Sequence, residues 1–445
     1  MPEAVEKKPT HRVVVRGGIL VDETGSRRGD VAIADGRIVE IAESIEPTRG
    51  AIVLDADGCL VSPGLVDLHA HLREPGGEAA ETVESGARAA ALGGYTAVVA
   101  MANTDPPIDS AAVARDVLSL GVHAACEVAV AGSITVGRKG ERIVPFAEMA
   151  ALGIRLFSDD GRGVQEAGVM RRALEYASDL GVVLAQHCED ESLSKGGHMH
   201  EGAISARLGI PAQPASAEEA MVLRDIELAR LTGGTIHFCH LSTRHSIDLV
   251  SAAKKNCLAV TCEVTPHHLL LTHAAVESFD PRFKVNPPLR TDEDVEALRA
   301  ACADGRVDAI ATDHAPHTDA SKEGTFDESP FGVVGLETAY AVAYSVLVAE
   351  RTEDVMPLER LVGLLSARPA RIAGLHATSG QGGPIAAGTI AHLCVFDPTQ
   401  RWVVDPKTFA SRSHNSPFAG TTLTGRVRHT ILRGEPVVLD GRATR

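Results

Sequence analysis

The stretch Cys59-Leu60-Val61-Ser62-Pro63-Gly64-Leu65-Val66-Asp67-Leu68-His69-Ala70-His71-Leu72-Arg73 runs from aliphatic residues into two histidines and an arginine. Val307-Asp308-Ala309-Ile310-Ala311 does the same, passing into Thr312-Asp313-His314-Ala315-Pro316-His317. A short, nearly continuous apolar run is how a buried parallel strand reads, because both of its faces are covered. Six more such runs lie between these two: Thr96–Ala102, Ala124–Val130, Ile154–Phe157, Val182–Ala185, Thr235–Phe238 and Leu258–Val264. With Cys59–Leu68 and Val307–Ala311 they make eight. Helical patterns separate them at Glu81–Ala91, Ala112–Leu120, Val169–Leu180, Ala217–Leu231, Ser246–Lys255 and Asp292–Ala303. Gly93, Gly121, Gly181 and Gly305 close four of these and suit helix C-caps. Eight strand–helix units predict an α/β fold, a (β/α)8 barrel of TIM type. A doubly wound open sheet is the alternative, but no G-x-G-x-x-G follows the first strand.

The two ends of the chain read differently. Arg12–Leu54 alternates in short strands with turns at Gly17-Gly18, Asp22–Gly25 and Asp35-Gly36. Thr389–Val438 repeats that style, with turns near Asp397-Pro398 and Arg433-Gly434. Both termini therefore predict one small β-sandwich domain, residues 1–63 with 376–445, flanking a barrel at 64–375. Aromatic residues are only 3% of the chain, so aliphatic packing must fill the core.

The net charge of −16 repels polyphosphate and makes nucleic acid a poor partner. No apolar run approaches the ~18 residues that span a bilayer. Met1 to Arg12 mixes charges and lacks the apolar segment of a secretory signal. Eight scattered cysteines without a C-x-x-C pair read as reduced, buried thiols, which predicts a cytoplasmic location.

Polar residues cluster where the apolar runs end. After the first run come His69, His71 and Arg73; after the second, Asn103; after the fourth, Ser158-Asp159-Asp160-Gly161. The fifth ends in Gln186-His187-Cys188-Glu189, the sixth in His240, the seventh in Thr265-Pro266-His267-His268, and the eighth in Asp313. A barrel brings all these ends to one face. Ionisable groups gathered there are costly to bury unless something compensates them, and a metal does so. His69 and His71 are two apart on a strand and share a face, so both can reach one ion. Imidazole and carboxylate donors suit zinc, with manganese, cobalt or iron as alternatives. Six donors exceed what one catalytic zinc needs, and two ions sharing a carboxylate would use them all. Asp160 is the preferred bridge and Asp159 the fallback, since alternation alone does not say which faces inward.

The run Asp67-Leu68-His69-Ala70-His71-Leu72-Arg73-Glu74-Pro75-Gly76 resembles the signature of dihydroorotases of the amidohydrolase superfamily. Thr312-Asp313-His314-Ala315-Pro316-His317-Thr318 resembles their second signature, and Met101-Ala102-Asn103-Thr104 and Lys284-Val285-Asn286-Pro287-Pro288-Leu289-Arg290 match as well. The likeness extends over nearly the whole chain and is to the type I, bacterial form. Many superfamily relatives bridge their metals with a carboxylated lysine after the fourth strand. Gly153–Gly161 contains none, and the type I enzymes use aspartate there, at a spacing that favours Asp160. His392 stands where an aspartate is common.

The resemblance implies two zinc ions. His69, His71, Asp160 and Asp313 would hold one, and Asp160, His187 and His240 the second. Arg73, Asn103 and His317 would bind the substrate carboxylate, with His71 adjoining it. Asn286 and the backbone of Phe331 and Gly332 would hold the ring edge. The implied reaction is reversible cyclisation of N-carbamoyl-L-aspartate to L-dihydroorotate in pyrimidine biosynthesis, using a metal-bound hydroxide with Asp313 as general acid and base. A homodimer and an association with aspartate carbamoyltransferase, seen in some relatives, are further expectations. His267, His268 and His314 are expected to support the site from behind. The stretch His314–Phe331 lacks apolar periodicity and is expected to form a mobile lid. The competing readings are a hydantoinase or allantoinase, and a catalytically silent scaffold subunit.

Overall fold

The computed structural model describes residues 12–352 and 355–445. The leading residues read for a secretory signal lie, apart from Arg12, outside these. Eight parallel strands form the barrel: Leu65–Ala70, Tyr95–Ala100, Glu127–Val130, Leu156–Phe157, Val183–Gln186, Thr235–Phe238, Val260–Val264 and Ala309–Ile310. They are barrel strands one to eight below. Strands one to three pair as one sheet and strands four to eight as another. Parallel bridges Gly132↔Phe157 and Ala70↔His314 join the two sheets at both seams, which closes the cylinder. Closure removes every edge and satisfies the ladder groups internally.

Each predicted run overlaps its strand. The first overlaps two, because Pro63-Gly64 ends one strand, Leu60–Pro63, before strand one begins. Proline cannot donate to a ladder, so it marks the point where the chain leaves one sheet for another. Small and aliphatic side chains fill the cylinder, among them Val66, Leu68, Ala97, Val99, Leu156, Ala185 and Ala309. The alternate residues of the same strands, such as Leu65, Val98 and Leu184, pack outward with the helices. A buried side chain of this size contributes ~1.5–3 kcal/mol, which is how a chain poor in aromatics holds together.

The helices stand close to their predicted spans, for example Val83–Leu92, Ala167–Leu180, Ser216–Thr232 and Asp292–Asp304. Gly181 and Gly305 are left-handed C-caps as expected, but Gly93 and Gly121 have negative φ. Gly93 is required for a different reason: a Cβ there would lie 2.0 Å from the Leu336 carbonyl.

Both termini build one hydrogen-bonded sheet of nine strands. Val13–Asp22, Gly25–Ala34, Arg37–Ala42, Ile52–Asp55 and Leu60–Pro63 come from the front of the chain. Leu393–Val403, Thr422–Leu432, Glu435–Leu439 and Arg442–Ala443 come from the back. The halves meet where Leu60–Pro63 runs antiparallel to Leu393–Phe396. The sheet wraps round a core of its own that includes Val13, Val31, Leu54, Val61, Leu393 and Ile431. Two predicted turns are bulges instead. Gly17-Gly18 and Asp397-Pro398 lie inside long strands at register shifts, where an extra residue adds twist and lets the sheet curl. His392 is buried in this domain with Nε2 3.1 Å from the Ser379 carbonyl, far in role from the barrel mouth. Among the described residues no helix is long and apolar enough to cross a membrane.

Candidate metal centre and active site

The carboxyl ends of the barrel strands deliver the site. Val66 and Leu68 point into the cylinder, so simple alternation would turn His69 and His71 outward. The pairing register of strand one slips between Asp67 and Ala70, which reverses the phase. Both imidazoles then face the mouth. Asp67 anchors the slip by accepting from the Thr312 amide at 2.9 Å and the Thr312 hydroxyl at 2.6 Å, across the seam to strand eight.

Asp160 lies at the centre. Its Oδ1 is 3.3 Å from His69 Nε2, 3.4 Å from His187 Nδ1 and 3.4 Å from His240 Nε2, and its Oδ2 is 3.5 Å from His71 Nε2. Asp313 Oδ1 is 3.1 Å from His71 Nε2 and 3.6 Å from His69 Nε2. All six side chains are buried. Asp159 is turned away, accepting from the amides of Ile134 and Thr135 and from the Thr135 hydroxyl. Strand four stops at Phe157, and this division of work between neighbouring aspartates is set in the turn that follows.

The donors fall into two triplets that share Asp160. Ligand atoms of His69, His71 and Asp160 lie within 4.8 Å of one another, and so do those of Asp160, His187 and His240. Asp313 stands beside the first triplet. His69 Nε2 and Asp160 Oδ1 are buried without a hydrogen-bond partner. Unpaired buried polar atoms are costly, and a cation between them removes the cost. The donor set therefore fits a divalent metal. Burial opposes ionisation of Asp160, but the surrounding imidazoles outweigh it and hold the carboxyl well below its usual range.

The far sides of the rings are also held. Glu263, at the end of strand seven, accepts from His69 Nδ1 and His237 Nε2, both at 3.0 Å. Burial works against this charge, yet the two imidazoles bring the Glu263 carboxyl down to about 2. Asn103 Oδ1 is 2.8 Å from His71 Nδ1. Glu189 Oε2 is 2.9 Å from His187 Nε2 and accepts from Asn286 Nδ2 at 2.6 Å. Such partners fix ring orientation and raise ligand basicity. Glu263 and Glu189 carried no role in the sequence reading, although a glutamate inside the apolar run Leu258–Val264 was its available signal. Cys239 joins His69 and Glu263 in a third grouping on the already occupied Nδ1 side.

Arg73 sits at the rim, but not on the strand. Strand one ends at Ala70, and Arg73 adopts a left-handed φ of 60° that aims its side chain across to Pro316 O, 3.1 Å away, and to His317 Nε2 at 3.5 Å. Strand alternation, which would put Arg73 on the face of His71, therefore does not place it. Burial, followed by Arg73, pushes His317 down to about 3, so the ring is neutral and its Nε2 donates to Phe331 O at 2.7 Å. Gly332 N donates to the Lys284 carbonyl, and Gly332 O accepts from Asn415. The Asn286 Oδ1 atom is buried without a partner.

His314 bridges Glu81 and the Gly335 amide, and His268 bridges Thr265 and Pro287. His267 is buried with an unpartnered Nε2. Asn415, missed in the sequence, comes from the C-terminal segment: its Oδ1 accepts from the His317 amide, and its Nδ2 donates to Ala315 O and Gly332 O. The segment from His314 to Phe331 is tied down. Lys322 Nζ donates to Pro281 O and Pro330 O, Lys284 Nζ donates to Asp327 O, and Phe326 is buried in an apolar cluster. In this structure it forms one wall of the mouth.

Solved structures share the architecture. An L-hydantoinase (dihydropyrimidinase) from Arthrobacter aurescens superposes with a TM-score of 0.87 over 98% of both chains at 24% identity. A D-hydantoinase (dihydropyrimidinase) from a Thermus species gives 0.83 over 97% of this chain and 96% of that one at 25%. Barrel, flanking sheet and donor cluster together define a metal-dependent cyclic amidohydrolase. Within that class, residues 58–246 match the Dihydro-orotase-like family. A dihydroorotase of Streptomyces coelicolor is 45% identical over 97% of this chain and 100% of its own length. One from Leifsonia xyli subsp. xyli is 47% identical over 96% of both. The chain belongs to the dihydroorotase family.

Proposed function

We infer that this chain is a dihydroorotase, interconverting L-dihydroorotate and N-carbamoyl-L-aspartate in de novo pyrimidine biosynthesis. The observation that carries the reading is 45% identity to a dihydroorotase maintained over 97% of the chain. Two zinc ions are proposed, one held by His69, His71, Asp160 and Asp313, the other by Asp160, His187 and His240. Ions held by these residues would acidify water toward neutral pH and would polarise the ring carbonyl as Lewis acids. Asp313 takes the proton from the attacking water and returns it to the leaving ring nitrogen. That duty is worth ~10²–10⁴ in rate. Arg73, Asn103 and His317 hold the substrate carboxylate, with His71 beside them, His317 turning its Nε2–H from Phe331 O to the carboxylate. Asn286 offers its unpartnered Oδ1 to a ring N–H, steadied by Glu189. The Phe331 amide faces the ring edge, and Gly332 keeps the wall close to His317, where a Cβ would lie 3.0 Å from Nε2.

Ring closure consumes one carboxylate and one proton, so lower pH favours dihydroorotate. The same reading divides the chain into a barrel at 64–375 and a composite β domain at 1–63 and 376–445. A cytoplasmic location is supported by eight cysteines, all free and seven of them buried. A homodimer and an association with aspartate carbamoyltransferase are proposed as assemblies, to be tested by light scattering with and without that enzyme.

The decisive experiment measures metal content together with dihydroorotate, hydantoin and allantoin turnover. Wild type should carry metal and turn over dihydroorotate alone. Asp313→Ala should lose ~10²-fold or more in kcat while keeping its circular dichroism. Preference for hydantoin or allantoin would support the sister activities, irreparably absent metal would support a scaffold, and retained turnover in the variant would overturn the role of Asp313.

A further inference from the structure

Arg138 lies on the loop after barrel strand three, in a segment that none of the motifs above includes. Its backbone is left-handed, with φ 54°. The loop is fixed at two points. Asp159 holds Ile134 and Thr135, and the Gly137 amide donates to Asp109 Oδ2 at 2.9 Å. From this base the guanidinium reaches back to the metal-centre turn and donates from Nη2 to the main-chain carbonyl of Asp160. Its Nε is buried and has no hydrogen-bond partner, and among the described residues the group makes no ion pair. Of the two carboxylates it feels, Asp160 and Asp159, the second is spent on the loop itself.

Gly161 shows what the group faces. A Cβ built on Gly161 would lie 3.4 Å from Arg138 Nη2 and 3.9 Å from Asn103 Nδ2. Two side-chain donors from different loops thus converge above Gly161, on the Asp160 side of the site. Arg73, on the loop after strand one, feels Asp313 and Asp160 and also the second guanidinium as a like charge. Both guanidiniums also feel Asp160, whose charge the proposed metals would neutralise, and two cations facing one mouth then form an anion site.

We propose that Arg138 is a second substrate-binding cation, matched to the carboxylate that exists only in the open-chain form. The inference rests on the dihydroorotase reading. Dihydroorotate has one carboxylate, the one assigned to Arg73. N-carbamoyl-L-aspartate has two, and the second becomes the ring carbonyl that must lie by Asp160. Arg138 is the unpaired cation on that side.

The test is steady-state kinetics in both directions for wild type, Arg138→Gln and Arg138→Lys, with metal content measured for each. Losing one charge-assisted contact should raise KM for N-carbamoyl-L-aspartate about tenfold, while KM for dihydroorotate stays within about twofold. The equilibrium constant is fixed, so the same factor must appear as a fall in the ratio of hydrolytic to synthetic kcat. Arg138→Lys should recover most of the loss at unchanged metal content. Equal rises in both KM values, no change in either, or a lysine variant as impaired as the glutamine one would overturn the proposal, leaving Arg138 a brace for the Asp160 turn. Arg138→Met keeps the buried stem and takes the place of the glutamine variant if that fails to fold. Wild type that turned over neither compound would instead overturn the reading of function beneath it.

Discussion

Glu263 shows how a residue with no metal or substrate to touch can govern the site. It is fully buried, and its two oxygens fix His69 and His237. Replacing it by glutamine removes the negative charge and one of the two matched acceptors. Metal affinity should fall ~10–100-fold, read by competition with a chromophoric chelator. Unchanged affinity would mean that packing alone orients His69. The donors themselves were legible in the sequence because each histidine or aspartate ends an apolar run. Their supporting partners were not, since the pairing of Glu263 with His69 spans strands one and seven and leaves no trace in local spacing. Nor was backbone strain legible. Arg73, His240 and Asp313 all have positive φ, at 60°, 34° and 46°, which costs of order 1–3 kcal/mol each and persists where surrounding structure imposes it.

Strand one and the wall at 314–331 carry the lessons at the level of elements. Eight strands could be read from eight apolar runs, but the inward face of His69 and His71 depends on a register slip that depends on Asp67 meeting Thr312. The wall lacks periodicity, and its lysine contacts are not legible in the sequence because they run to backbone carbonyls, which are present in every sequence. Lys322 is the more deeply committed of these. Burial, with Lys284 nearby, brings its ammonium down to about 7. A lysine lowered in the fold is more protonated in the unfolded chain between that value and its ordinary 10.5. Stability must therefore rise with pH across this window, by up to about 1.4 kcal/mol per pH unit. Lys322→Met should flatten that slope in urea titrations between pH 7 and 10. A slope equal to that of wild type would show that the ammonium stays solvated.

The whole molecule is tied together by its ends. Leu60–Pro63 finds its partner in Leu393–Phe396, and one apolar core is shared by strands from both termini. A chain cut after Ser379 loses four of nine strands and exposes that core. It should yield no cooperative thermal transition and should aggregate. A soluble, cooperatively folding fragment would show that the barrel stands alone. The acidic surface is the other global feature. At a net −16, the chain repels the anions it works on until they come within a Debye length, ~8 Å at physiological salt, of the guanidiniums at the mouth.

Asn415 adds a constraint on how the enzyme comes into being. Its amide closes the wall of the mouth through His317, Ala315 and Gly332, yet it is translated long after every proposed ligand. A nascent polypeptide still on the ribosome, or one released early by a premature stop, has all six donors and an unfinished pocket. Competence is thereby withheld until synthesis has passed residue 415.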